Sequence, residues 1–149
     1  MTSAKNVKNH LTRVFVLDSK IADIKEKIEM LRATEIAGGG FSESFVGGVT
    51  KSRNIRRGED LAVDILTLEE SMTKSKIELI ALERDIKTLA DVIESPIGRA
   101  VITWRYICRF KWRDIAARAE MSEMQTIREH NAAIEAITKV FCGRDAVSC

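Results

Sequence analysis

Three side chains close together near the C-terminus, Glu123, Gln125 and Arg128, carry hydrogen-bonding groups that match the edges of nucleic-acid bases. Arginine donates two parallel bonds to guanine, glutamine pairs with adenine, and a carboxylate accepts from the cytosine amino group. Each has a plainer use: Arg128 as a surface partner of Glu135, Glu123 as a complement to the positive end of a helix, Gln125 as half of a helix cap. Ser122, just before them, is a fourth candidate contact. Upstream stand Arg105, Arg109, Lys111 and Arg113, charges of the kind that grip phosphates and set a module's position on a duplex. Some of these would simply be solvated. A further basic group, Lys51, Arg53, Arg56 and Arg57, lies beside glycines. It reads either as a solvated linker or as an arm that touches DNA phosphates or a groove.

Other chemistries find no support. His10, His130, Cys108, Cys142 and Cys149 do not fall at the spacings of a zinc site, and an odd number of unpaired cysteines reads as incidental reduced thiols. No carboxylate pair or nucleophile–base pair stands out, and the glycines lack the Gly-Lys-Ser/Thr ending of a phosphate-cradling loop. No catalytic residue, metal or cofactor is therefore expected. No apolar run approaches the ~20 residues of a membrane span. Lys5, Lys8, His10 and Arg13 are not followed by the apolar core of a signal peptide. The expectation is a cytoplasmic protein with no membrane partner.

The formal charge of +2 conceals a pattern. Residues 1–34 carry a net +3, residues 35–57 +2, residues 58–94 −6 and residues 95–149 +3. The acidic charge sits in one block and the C-terminal module is basic, which favours a polyanion partner for that module.

Two long heptad-patterned segments precede it. Val14, Leu17, Ile21, Ile24, Ile28 and Leu31 alternate spacings of three and four, the a/d seam of a coiled coil. Leu61, Ile65, Leu68, Met72, Ser75, Leu79, Leu82, Ile86, Leu89 and Ile93 repeat the pattern, with Ser75 alone polar. Ile77 and Ile80 lie off this seam and widen the stripe. Neither helix buries such a stripe alone, so each packs on the other, on a second copy, or on both. Their opposite charges favour an antiparallel hairpin, and the extra isoleucines favour a homo-oligomer; a docking face for another protein is the alternative. Between them, residues 35–57 hold Gly38, Gly39, Gly40, Gly47 and Gly48, and read as a mobile basic linker within a helical region spanning residues 1–94.

The module of residues 95–149 opens with Ser95-Pro96, a helix N-cap and first-turn proline. Ile97, Val101, Ile102 and Tyr106 follow at helical spacing, and the pattern resets around Arg109-Phe-Lys111. Trp112, Ile115, Ala116 and Ala119 form one face of a short second helix, Glu120-Met121-Ser122 the turn. Ser122 with Gln125 then caps a third helix running through Ile127, Ala133, Ile134, Ile137 and Val140. Trp104, Tyr106 and Trp112 fall among aliphatics and read as core, and His130 as structural. The expected fold is all-α: a long helical hairpin, or coiled-coil stalk, followed by a three-helix helix-turn-helix module.

The segments Arg-Ala-Val-Ile-Thr-Trp-Arg-Tyr-Ile (99–107), Trp-Arg-Asp-Ile-Ala (112–116) and Met-Ser-Glu-Met-Gln-Thr-Ile-Arg-Glu-His (121–130) resemble region four of bacterial sigma factors. More closely they resemble phage late-gene regulators of the RinA and ArpU kind. The resemblance implies a phage-type transcriptional regulator that binds double-stranded DNA at a promoter or operator in a bacterial host cell. It would act with a homo-oligomeric stalk that contacts, in one reading, the host RNA polymerase. Two departures stand out. Glu120 occupies the turn position that is usually glycine, and Thr126 and Glu129 occupy slots that are usually apolar. The second departure leaves the rotational register of the third helix open. A phage small terminase subunit, and a polymerase-docking adaptor that never touches DNA, are the alternative functions.

Overall fold

A computed structural model describes the backbone of residues 4–42 and 48–144, and the side chains of residues 4–35 and 58–141. Every described element is helical: α1 (Ala4–Ser42), α2 (Gly48–Asp91), α3 (Pro96–Ile102), a π-helical turn (Thr103–Ile107), α4 (Trp112–Ala119) and α5 (Glu123–Arg144). No helix among the described residues is long and apolar enough to cross a membrane.

The helix bounds enter the stretch 35–57 from both sides, to Ser42 and from Gly48, where the glycines led to the expectation of a mobile joint. Glycine costs a helix about 1 kcal/mol relative to alanine, a local bias that the surrounding turns override. The side chains of Lys51, Arg53, Arg56 and Arg57 lie outside the described residues.

The chain forms two compact units, Leu17–Glu78 and Met1–Val16 together with Leu79–Cys149. In the first, Leu17, Ile24, Ile28 and Ser75 are buried. Ile21, Leu31, Leu61, Ile65, Leu68 and Met72 are only half-buried. Arg32 and Glu69 form an ion pair between the two helices of this unit. Every seam position of this unit expected from the heptad spacing is thus buried or half-buried. Val63, Leu66 and Ile77 are exposed on another face of α2.

The second unit holds the larger core. Val7, Leu11 and Val14 of α1 and Leu79, Leu82, Ile86, Ala90 and Ile93 near the end of α2 are buried. So are Val101, Ile102, Tyr106, Ile115, Ala116, Ala133, Ile134 and Ile137. Val7 and Leu11 carry the α1 seam upstream of its expected start at Val14. Both α3 and α4 pack on α5. A Cβ added at Gly98 would come within 3.1 Å of Ile93 Cγ2 and 3.6 Å of Ala133 Cβ, so glycine permits this approach of α3 to its neighbours.

Local chemistry fixes where these helices start and stop. Ser95 Oγ accepts from the Gly98 N–H at 3.2 Å, with Pro96 in the first turn, as the sequence leads one to expect. The next helical stretch ends where Arg109 turns left-handed at φ 58°. The Phe110 N–H then donates back to the Trp104 carbonyl at 2.9 Å. α4 ends the same way, with Glu120 at φ 55°, ψ 42°. The Met121 N–H donates to Ala116 O at 3.0 Å and the Glu120 N–H to Ala117 O at 3.3 Å, the paired bonds of a Schellman cap. Glutamate performs here the turn for which glycine is the easier residue.

Candidate nucleic-acid interface

The short turn from Glu120 to Ser122 sets the start of α5. Ser122 Oγ accepts from the Gln125 N–H at 3.1 Å, the forward half of the expected capping box. The Ser122 carbonyl accepts from both the N–H of Thr126, at 3.0 Å, and its Oγ1, at 2.9 Å. Thr126 can therefore be buried completely without an orphaned hydroxyl.

That burial gives the rotational register of α5. Thr126, His130, Ala133, Ile134 and Ile137 face the core. Glu123, Met124, Gln125, Ile127, Arg128 and Asn131 face outward. Ile127, expected on the apolar face, is 40% exposed, and Thr126 and His130 hold the inward positions instead. A threonine bonded to its own helix fills a core slot that hydrophobicity alone assigns to the neighbouring isoleucine. The base-reading candidates Glu123, Gln125 and Arg128 share the solvent side of the first turns of α5.

The basic residues before α4 divide into two groups. Arg105 is half-buried. Its guanidinium lies 4.8 Å from the Phe15 ring centre and 4.6 Å from that of Trp112, and Nη1 donates to Phe110 O at 3.0 Å. Arg109 donates from Nη1 to Glu83 Oε1 at 2.8 Å in a half-buried ion pair. These two cations bind the module to the long helices of the same unit. Lys111 and Arg113, by contrast, are exposed at the start of α4. Arg118, which sequence reasoning passed over, is also exposed and stacks on Phe110 at 4.4 Å. The exposed acids Asp114, Glu120 and Glu123 accompany them, so the surface is mixed rather than uniformly basic.

Behind this surface lies a polar pair inside an aromatic cluster. The Tyr106 hydroxyl is 2.5 Å from His130 Nε2, and Trp112 meets the imidazole edge-on at 4.9 Å between ring centres. Phe15 lies 5.9 Å from Tyr106. Burial pushes the tyrosine up to about 12, against a smaller opposing effect of Arg105. Burial likewise pulls His130 down to about 4, helped by Lys8 and Arg105 and opposed by the hydrogen bond to Asn131. The neutral imidazole thus accepts from Tyr106 at Nε2 and turns Nδ1 toward Asn131 Oδ1, 3.4 Å away. Tyr106 and Trp112 take the core roles expected of them. The partnership with His130 was beyond sequence reading, because the two residues are 24 positions apart with no shared pattern.

Among the described residues, no group of three or more His, Cys, Asp or Glu converges to hold a metal ion. A groove of about 320 Å³ lies among Val7, His10, Asp85, Leu89 and Phe141, and none of the base-reading candidates lines it. A family model described as a protein of unknown function (DUF1492) matches residues 35–138. No curated protein and no solved structure matches the chain.

Proposed function

The chain belongs to the family described as a protein of unknown function (DUF1492), and we propose that it is a phage-type DNA-binding transcriptional regulator. Residues 95–149 act as a helix-turn-helix similar to region four of bacterial sigma factors and to regulators of the RinA and ArpU kind. α5 enters the major groove of a promoter or operator, while Lys111 and Arg113 hold flanking phosphates. The observation that carries this reading is the outward face of α5, where Gln125 and Arg128 stand exposed just after a tight turn. Arg53, Arg56 and Arg57, in the first turns of α2, add phosphate contacts.

The two heptad helices form an antiparallel hairpin that also associates with other copies. Half-buried seam residues such as Ile65 and Leu68 and the exposed Val63, Leu66 and Ile77 support this, because two helices alone leave that apolar surface wet. The protein works in the cytoplasm of a bacterial host. A second reading, an adaptor that docks on RNA polymerase without DNA, draws on the exposed Met124 and Ile127. A footprint of the full-length protein on its own genome separates the two. Protection of a discrete promoter site, with affinity that falls as salt rises, supports the regulator. Protection nowhere overturns it.

A further inference from the structure

Met124 and Ile127 are the exposed large apolar residues of the first turns of α5, 66% and 40% accessible. With Arg128 and Asn131 they fall at i, i+3, i+4 and i+7, one face of the helix, and that face is directed away from the core. Arg128 Nη2 lies 3.8 Å from Met124 Sδ, so the thioether and the guanidinium share one patch. Glu123 and Gln125 flank it. An apolar pair set among polar side chains of base-reading type is small: a stable protein interface takes roughly 800 Å² a side, several times what two side chains present. The chemistry that matches a small apolar spot beside hydrogen-bonding groups is the thymine edge, whose C5-methyl is the only apolar group displayed in the major groove.

We propose that Met124 and Ile127 read thymine methyl groups, so that the preferred site of this protein places thymines next to the base contacted by Arg128. This rests on the DNA-binding reading above and adds the base class that the site selects. Both side chains are flexible or solvent-facing, so each packs on a methyl without disturbing the core, and burying one methyl is worth roughly a fourfold gain in affinity.

The test begins with selection of duplexes from a random pool by the full-length protein. Each thymine of the enriched site is then replaced by uracil, which removes the methyl and leaves the base-pairing edge intact. The expected result is a three- to fivefold loss at one or two thymines, and no such loss for Met124→Ala with Ile127→Ala. That variant should bind the thymine and uracil duplexes equally, and a circular-dichroism spectrum matching that of the unaltered protein shows that it is folded. A specific site at which uracil changes nothing overturns the methyl contact alone. A loss that persists unchanged in the double variant does the same. A pool that yields no enriched sequence overturns the DNA reading beneath it.

Discussion

The Tyr106 hydroxyl and His130 Nε2, 2.5 Å apart, join the π-helical turn after α3 to the middle of α5, so the helix that carries the candidate contacts is fixed by a buried polar bond. Both groups are neutral in the folded chain. Because His130 is held at about 4 rather than its ordinary 6.5, protonation favours the unfolded state. Its contribution is complete above pH 6.5 and is lost as the pH falls toward 4. Tyr106 is the mirror case, complete below pH 10 and lost as the pH rises toward 12. Each limb should cost on the order of 3 kcal/mol, read from urea melts across the range. His130→Gln should flatten the acid limb above about pH 5, where carboxylates contribute least. An unchanged limb would show that His130 is not its source.

Glu120→Gly should stabilise the protein by about 1 kcal/mol, because the residue sits at φ 55° where glycine has no Cβ penalty. Glu120→Val should do the opposite by a similar or larger amount. Thermal melts decide, and a glycine variant that melts lower would mean that the glutamate side chain has a role the backbone does not reveal.

Arg105 and the pair Lys111 and Arg113 should behave differently when replaced by alanine. Losing Arg105 removes two ring contacts and a carbonyl bond from a half-buried site, at a cost of roughly 1–3 kcal/mol in stability. Losing Lys111 and Arg113, which are exposed, should leave the melt unchanged. It should instead lower DNA affinity and flatten the salt dependence by about 0.9 log–log unit for each phosphate no longer neutralised. Stability effects of the same size from both changes would remove the distinction.

The helical character of the chain and most of its seams were legible because a 3–4 alternation has one physical meaning, and Val14 to Leu31 keep it without a break. The caps were legible too: Ser95-Pro96 and Ser122 announce helix starts by chemistry that acts within one turn. The inward face of α5 was not. Hydropathy places Ile127 inside and Thr126 outside, whereas Thr126 satisfies its hydroxyl on Ser122 and takes the core position. Nor could spacing tell Arg105 and Arg109 from Lys111 and Arg113. What separates them is Phe15 and Glu83, partners far away in sequence.

Replacing Val63, Leu66 and Ile77 with glutamine should lower the oligomer mass in light scattering while the helical content stays the same, since all three are exposed. Leu82 and Ile86 are buried, so polar residues there should melt the helices as well. Unaltered protein that runs as a monomer would end the self-association proposal and leave the intrachain pairing alone.

Arg128→Ala should separate specific from nonspecific binding. Its guanidinium is exposed on the second turn of α5, with the Met124 thioether as a neighbour and no acid holding it among the hydrogen bonds and ion pairs of the described residues. If it forks onto a guanine edge, its loss should cost roughly 1–3 kcal/mol at the selected site and much less on random duplex. The salt dependence should barely move, since a base contact displaces few counterions. Arg128→Lys keeps the charge but loses the planar fork, so it should recover little of the specific affinity. Full recovery by lysine, or equal losses on both duplexes, would make Arg128 a phosphate contact and shift base reading to Gln125 and Glu123.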